Sequence, residues 1–235
     1  MPGKYLRGAL IEFTETFPLP IPNIIMFQYN PETMTHSWTP ATTGSPAGNR
    51  GNPLAITGDP QEAFSFTLAM DATDMIADGS AVANALATAS GVYTRLAALE
   101  MLLFPTAAPG GGLIGKVSAA LGLTGGGGAP DPATPVPAAQ LPTVLFIWGP
   151  GRIVPVRVTN LVITERLYDS LLLNPTHAEA QIGLRVLTKE ELAKVNGPLA
   201  VVARAANTYS HGLREALAIA NLANAAESIL GMLPL

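Results

Sequence analysis

Two segments of the chain, Glu62–Ala72 and Thr176–Thr188, alternate between apolar and polar side chains. Their apolar positions are Phe64, Phe66, Leu68 and Met70 in the first segment and Ala178, Ala180, Ile182, Leu184 and Val186 in the second. Successive side chains of a β-strand point to opposite faces, so this alternation is typical of strands with one buried face. The chain therefore has to build a sheet that is covered on one side, which predicts a mainly β fold.

Further strands are predicted before and between these segments. Tyr5–Thr16 is rich in residues that favour strands, and a proline-rich linker separates it from a second short strand at Ile24–Tyr29. Pro142–Gly149 and Ile153–Tyr168 flank a Gly-Pro-Gly-Arg turn, which predicts a hairpin. The alternation in the second hairpin strand slips by one residue near Asn160, and such a slip indicates a change of register.

A helical pattern and two loops interrupt the strands. Ala81–Leu103 carries apolar residues at helical spacing and predicts one helix, with Gly91 as a weak point near its middle. Thr39–Pro53 and Pro105–Pro142 are rich in Gly, Pro and Thr, and we interpret both as loops. The second is too long for a turn, so we interpret it as an insertion that is mobile or ordered by a partner.

The C-terminal part of the chain predicts a long helix over Ala205–Met232, with two adjoining apolar stripes. We interpret residues 1–195 as one β-domain and residues 196–235 as a helical extension. A helix this apolar needs cover, so we predict that it docks on a neighbouring protein or back on its own domain. The candidate docking residues are Leu213, Leu217, Ile219, Leu222 and Ile229.

Charged residues make up 13% of the chain, against roughly 25% in ordinary soluble domains. Two explanations are open: the protein covers much of its surface with neighbours, or its composition is biased towards Ala and Gly. The net charge of −4 argues against a nucleic-acid partner, which needs a basic surface. The chain has no cysteine, which excludes disulfides and thiolate metal sites.

The sequence shows no signal for secretion or for a membrane. The N-terminal residues form no continuous apolar stretch of the kind found in signal peptides. No run of about 18 apolar residues predicts a membrane span. We therefore expect a protein that is made in the cytosol and that does not insert into membranes.

A glycine-rich segment, Gly110–Ser118, contains G-x-G-x-x-G and resembles a phosphate-binding loop. Such a loop needs Ser or Thr after the lysine, where this chain has Val117, and it needs a strand before the glycines, where this chain has a predicted helix and prolines. We interpret the segment as part of the insertion.

Acidic and histidine residues predict no metal or catalytic site. The acidic residues Asp71, Asp74 and Asp78 follow a strand and suit a turn and a helix cap. The three histidines, His36, His177 and His211, are far apart in the chain and have no metal-ligand spacing. We predict that the protein is not an enzyme and that it holds no cofactor.

Three segments in a fixed order carry a resemblance to a known family: MFQYNPETMTHSW, FSFTLAMDATD and VTNLVITERLYDSLLLNPTHAEAQIGLRVLT. The matching residues are Phe27, Tyr29, Asn30, Pro31 and Trp38 in the first, Phe64, Phe66, Leu68, Asp71, Thr73 and Asp74 in the second, and Thr164, Glu165, Asn174, Pro175, Ala178, Leu184, Arg185, Val186 and Leu187 in the third. Together they resemble the tube-domain proteins of contractile injection systems and contractile phage tails, over roughly Tyr5–Thr188.

The resemblance implies a fold and a role. Members of the family fold like phage tail-tube proteins, with two packed β-sheets that close as a barrel beside one flanking helix, and they assemble as six-fold rings. The implied role is a structural subunit that starts the inner tube at the baseplate hub, in a phage-tail-like particle that is released or bound by its host. Its implied partners are copies of itself, the inner-tube protein and the hub and spike proteins.

Two alternatives stay open at this point: an ordinary inner-tube subunit of the same machine, and a stand-alone β-sandwich binding module. Many relatives carry a C-terminal LysM domain where this chain has its predicted helix, so the resemblance does not extend to cell-wall binding. The resemblance also implies that Trp38 anchors the chain against the sheet after the Asn30–Pro31 turn, whereas a generic core tryptophan predicts the same local structure.

Overall fold

The computed structural model of the chain describes residues 6–13, 22–41, 58–78, 81–104, 141–195 and 198–232. The fold is mainly β, as predicted, because its core is one antiparallel sheet of seven strands. The strands are β1 (Ala9–Phe13), β2 (Pro22–Met26), β3 (Met34–Thr39), β4 (Gln61–Asp71), β5 (Val144–Ile147), β6 (Ile153–Tyr168) and β7 (Pro175–Val186). Most of the predicted insertion at Pro105–Pro142, including Gly110–Ser118, lies outside the described residues.

The strands lie in the order β2-β1-β5-β6-β7-β4-β3. β5 and β6 form the predicted hairpin, and the Trp148 N–H donates to the Arg152 carbonyl across its turn (2.8 Å). The register of β6 against β7 shifts between Val158 and Asn160, which confirms the predicted slip. Gly183 of β7 faces this bulge, where a Cβ atom would lie 3.3 Å from the Cβ of Asn160.

One face of the sheet buries the core. The apolar positions predicted for β4 and β7 are all buried, which confirms both one-sided strands. Phe146 of β5 is fully buried at the centre of an aromatic cluster, and its ring centroid lies between 5.4 and 6.5 Å from those of Phe27, Phe64, Phe66 and Trp148.

The sheet is strongly curled. Phe27 directly follows β2 at one edge, yet its ring centroid lies 5.5 Å from that of Phe66 on β4, which is five positions away in the strand order. In a flat sheet five strand spacings amount to roughly 24 Å. The two edge regions therefore approach each other across the core, although no pairing joins β2 to β3 in the described part of the chain.

In the described ranges after β4, three helices replace the single predicted helix: α1 (Ala72–Asp78), α2 (Ala81–Ser90) and α3 (Tyr93–Met101). The predicted helix breaks at Gly91, whose φ of 58° lies in the left-handed region that favours glycine. At the break the Val92 N–H donates to the carbonyl of Pro175 (2.9 Å), at the start of β7. A tertiary hydrogen bond therefore fixes the corner between α2 and α3.

The two edge strands differ from the prediction. β2 begins at Pro22 and ends at Met26, so the predicted strand Ile24–Tyr29 was placed too late. A proline is tolerated here because an edge strand needs hydrogen-bond donors on one side only. β3 was not predicted, since nearly all of its residues are exposed and the segment lacks a clear apolar face.

Two helices follow β7: α4 (Lys189–Ala193) and α5 (Pro198–Met232). α4 begins with a capping box, in which the Thr188 hydroxyl accepts from the Glu191 N–H and the Glu191 carboxylate accepts from the Thr188 N–H. α5 contains the predicted helix Ala205–Met232 and starts earlier, and it packs on β6 and α4. Within the described ranges, no helix is both long and apolar enough to cross a membrane.

Candidate functional site

The Asn-Pro segment after β2, which carries the first family motif, connects the two edges of the curled sheet. The side-chain amide of Gln28 donates to the Asp71 carbonyl (2.8 Å) and accepts from the Asp71 N–H (3.1 Å). The side-chain amide of Asn30 makes an equivalent pair of hydrogen bonds just before β1, at the other edge of the sheet. It accepts from the Gly8 N–H (2.9 Å) and donates to the Leu6 carbonyl (2.8 Å). Each amide takes the place of a backbone partner, one at the end of β4 and one before β1.

Residues from all three motif segments meet at this end of the sheet. The Tyr29 hydroxyl donates to the carboxylate of Asp74 on α1. The carboxylate of Asp71 lies 3.5 Å from Nδ1 of His177 on β7. Asn174, just before β7, donates from Nδ2 to a carbonyl at the end of α2 (3.0 Å). Segments that are far apart in sequence are therefore joined by direct contacts.

Tyr29 gives this junction a pH dependence. Its hydrogen bond to Asp74 is the largest cause that raises the pKa of Tyr29 to about 12 from its usual 10.0, and burial adds to the effect. Because the folded pKa is the higher one, the hydrogen bond stabilises the fold below pH 10.0 and its contribution is lost as the pH rises to about 12. We expect the stability advantage of the wild type over Tyr29→Phe, measured by urea unfolding, to shrink across that range.

The ultraviolet absorbance of tyrosinate provides an independent measurement of the same group. Subtracting the pH titration of Tyr29→Phe from that of the wild type isolates Tyr29 from the other tyrosines. In Asp74→Asn an acceptor oxygen remains but the negative charge is gone, so the Tyr29 pKa should fall towards its usual value. A wild-type Tyr29 that titrates at its usual pKa would contradict the hydrogen bond to Asp74.

Trp38 is not a core residue. It lies on the edge strand β3, and 44% of its surface is exposed. The guanidinium of Arg214 on α5 lies 4.8 Å from the centroid of its ring, and the same guanidinium binds the carboxylate of Glu62 (2.5 Å). Glu62 is only 4% exposed, and Nε2 of His36 lies 2.8 Å from the same carboxylate oxygen. Trp38 therefore belongs to a contact that fixes the C-terminal helix on β3 and β4.

The first half of α5 packs on the sheet. Its buried residues are Ala200, Ala203, Ala206, Asn207 and Ser210. The Ser210 hydroxyl donates to the Ile153 carbonyl (2.6 Å), the Tyr209 hydroxyl donates to the Pro150 carbonyl (2.9 Å), and Asn207 donates to the Leu187 carbonyl (3.3 Å). Small side chains and bonds to backbone oxygens let the helix approach the sheet closely.

Residues 215–222, in the second half of α5, are exposed. Residues 215–222 have no buried position, and Leu217, Ile219 and Leu222 are 62 to 67% exposed. The candidate docking residues Leu217, Ile219 and Leu222 are thus largely uncovered by the sheet of their own chain. Leu213 is half-buried, and the side chain of Ile229 lies outside the described residues. Docking of this half on another protein stays a prediction.

The turn between β6 and β7 presents leucines to solvent, a feature that the sequence analysis missed. Leu167, Leu171, Leu172 and Leu173 are between 67 and 88% exposed, and we call these four residues the leucine tip. The Asp169 carboxylate accepts from the Leu171 and Leu172 N–H groups (3.2 and 3.0 Å), and its carbonyl accepts from the Leu173 N–H (3.0 Å). The run of three leucines in the sequence was the signal available.

The other family-motif residues divide between core, local structure and surface. Phe27, Phe64 and Phe66 are buried in the aromatic core. Arg185 pairs with Glu191 and so supports the start of α4. Glu165 is exposed and accepts from the Tyr168 hydroxyl (3.3 Å), while Pro175 is buried and Pro31 is half-buried. Most of these positions therefore maintain the fold rather than present a surface.

The candidate chemical groups remain dispersed. Among the described residues no group of three or more His, Asp or Glu is arranged to hold a metal ion. His36 pairs with Glu62 and His177 with Asp71, at opposite ends of β4. Asp71 Oδ1 accepts from the Thr73 N–H (2.7 Å) at the start of α1, as the predicted turn requires. The absence of enzymatic activity stays a prediction.

Comparisons with known proteins add no family to this description: no protein-family model matches the chain, and no curated protein sequence matches it. The structure itself defines a mainly β protein with one curled sheet, a solvent-exposed leucine tip and a long C-terminal helix whose residues 215–222 are exposed.

Proposed function

We propose that this protein is a structural subunit of a contractile injection system or phage tail, which forms a six-fold ring and starts the inner tube at the baseplate hub. The observation that carries the proposal is the contact between the three segments that resemble tube-domain proteins. Tyr29 binds Asp74, and Asp71 lies beside His177, so the motif segments meet at one end of the sheet. On this proposal the curled sheet is a barrel of the tail-tube type, with α1 to α3 on its flank.

Exposed strand edges support an assembling role. Among the described strands, β6 pairs with β5 only as far as Val156 and continues to Tyr168 beside β7 alone. β2 and β3 end the sheet on its two sides, and Ile24 and Met26 of β2 are both about half exposed. Proteins usually protect such edges, because another chain can pair with them. In a ring, neighbouring subunits would cover them.

On this proposal the protein acts through its interfaces and needs no cofactor. Its partners are further copies of itself, the inner-tube protein and the hub and spike proteins. Assembly would take place in the bacterial cytoplasm, before the particle is released or retained by its host. The charged fraction of 13% fits a subunit that buries much of its surface.

Light scattering combined with negative-stain images tests the proposal. A six-fold ring has a mass of about 146 kDa, which is six times the 24.3 kDa of the chain. An initiator is expected to stop at one ring and to bind tube and hub proteins, whereas an ordinary inner-tube subunit continues into stacks of rings. A monomer that persists at high concentration and ignores both partners would contradict the proposal and favour a stand-alone binding module.

A further inference from the structure

We propose that the contact between α5 and the edge of the sheet is a pH-sensitive latch, which loosens when His36 takes up a proton. The latch consists of His36, Trp38, Glu62 and Arg214. Contacts within one chain form it, so it does not depend on the proposed ring.

One buried carboxylate oxygen joins two donors from different parts of the chain. Oε1 of Glu62 lies 2.5 Å from Nη2 of Arg214 on α5 and 2.8 Å from Nε2 of His36 on β3. Because a carboxylate accepts hydrogen bonds and cannot donate them, the neutral imidazole of His36 donates its Nε2 hydrogen to this oxygen. Glu62 is only 4% exposed, so solvent ions screen little of the interaction between these charges.

Proton uptake by His36 places a second positive charge at an oxygen that already binds a guanidinium. Histidine is the side chain whose charge usually changes near neutral pH. While α5 is docked, Arg214 repels the protonated imidazole, and the two cations share one negative charge. Once α5 is released, the protonated imidazole has the carboxylate of Glu62 to itself. The released state therefore binds the proton more readily, and by linkage acid favours release.

The aromatic rings beside the carboxylate keep the cations close together. The ring centroid of Trp38 lies 5.3 Å from that of His36, and the guanidinium of Arg214 lies 4.8 Å from the Trp38 centroid. On its other contact His36 stacks on Phe64, with 4.4 Å between centroids. The guanidinium of Arg152 lies 5.0 Å from the centroid of the same Phe64 ring. A proton on His36 thus joins an environment that already holds two guanidinium groups.

Two further titratable groups, Asp59 and His211, line the small cavity beside Glu62 and Arg214. Among the described residues, neither forms an ion pair with a member of the latch. His211 lies on α5 itself, so a proton there would strengthen the attraction of the helix to Glu62 and oppose the effect of His36. The two histidines therefore have to be separated by experiment.

The helix can loosen without opening the core. In the described part of the chain no buried residue of α5 belongs to the main apolar cluster, and Ala203 packs instead in a separate small cluster with Leu187 and Leu192. The other hydrogen bonds from α5 to the sheet and its turns end on backbone carbonyl oxygens, which carry no charge. We therefore expect a local effect of acid, at the end of the packed half of α5.

Hydrogen exchange of the amides of residues 207–214, followed by mass spectrometry on the full chain, tests the latch. Exchange is measured at about pH 5.5 and about pH 8 and corrected for the intrinsic rates, so that the histidine charge differs between the two conditions. We expect the protection of the wild type to be about threefold lower at the acid pH, the size typical of a partly exposed charge pair.

Two variants assign this change to the latch. His36→Gln keeps a donor for Glu62 and cannot gain the charge, so its protection should be the same at both pH values. Arg214→Met removes the second cation, so acid should no longer loosen its helix. Circular dichroism checks that each variant is folded, and Arg214→Met gives an independent test if His36→Gln does not fold.

Four results would overturn the latch. Equal protection of the wild type at both pH values excludes it. A pH dependence that persists in His36→Gln or in Arg214→Met places the proton elsewhere. A pH dependence that disappears in His211→Gln assigns the effect to that histidine instead. An equal loss of protection in the amides of β4 indicates that acid destabilises the whole fold rather than the contact of α5.

Discussion

Replacing Phe146 with Ala is expected to lower the free energy of unfolding by about 3–5 kcal/mol. Phe146 is fully buried, and four other aromatic rings lie within 6.5 Å of its centroid. The substitution removes that apolar surface and leaves a cavity at the point where the two edge regions of the curled sheet meet across the core. Urea unfolding, followed by circular dichroism, measures the loss.

Two variants make this result specific. Phe146→Leu keeps most of the apolar volume and should cost much less than the alanine variant. Phe104→Ala removes the same group from a side chain that is 56% exposed, so it should change stability by no more than about 0.5 kcal/mol. Equal losses in the buried and exposed alanine variants would mean that Phe146 is not at the centre of the core.

Replacing Gly91 with Ala is expected to cost about 2–4 kcal/mol, of which about 1–2 kcal/mol is the strain of a side chain at positive φ. The remainder comes from space: an added Cβ would lie 2.2 Å from the carbonyl oxygen of Pro175, a backbone atom that cannot turn aside. The same oxygen accepts the Val92 N–H, so moving it also weakens the corner between α2 and α3.

Gly149 provides a matched control, since its φ of 67° is similar but no atom lies within 4 Å of the position of its Cβ. Gly149→Ala should therefore show the backbone strain alone, about 1–2 kcal/mol. The difference between the two variants, measured by chemical unfolding, isolates the steric term at Gly91. If both variants lose the same stability, the contact with Pro175 gives way without cost.

The central strands could be predicted because the pattern of buried and exposed positions follows directly from their own sequences. β4 and β7 alternate between core and outer face, so burial and sequence have the same period of two. The slip at Asn160 was visible for the same reason, because a bulge interrupts that period. A strand with one buried face can thus be predicted from its own sequence before its neighbouring strands are known.

The edges of the fold could not be predicted in this way. β3 is an exposed strand, so its apolar pattern carries no signal. Gln28 was missed because its partner is the backbone of Asp71, which any residue at that position would provide. The start of α4 had a readable signal in Thr188 and Glu191, the two ends of a capping box. The leucine tip was missed because turns between strands are usually polar, whereas this turn carries three adjacent leucines.

The hydrogen bonds of the Gln28 and Asn30 side-chain amides affect how readily this fold can be recognised from an alignment of divergent sequences. Across the sheet both bind backbone atoms, at Asp71, Gly8 and Leu6, and Gln28 also donates to the hydroxyl of the neighbouring Tyr29 (3.4 Å). Substitution of the Asp71 or Leu6 side chain leaves the bonded atoms in place, so no compensating change is needed at Gln28 or Asn30. Methods that infer contacts from correlated substitutions should therefore fail to detect the part of the junction that these two amides form. In an alignment, Gln and Asn retained at positions 28 and 30 beside variable residues at positions 71 and 6 would indicate this part of the junction.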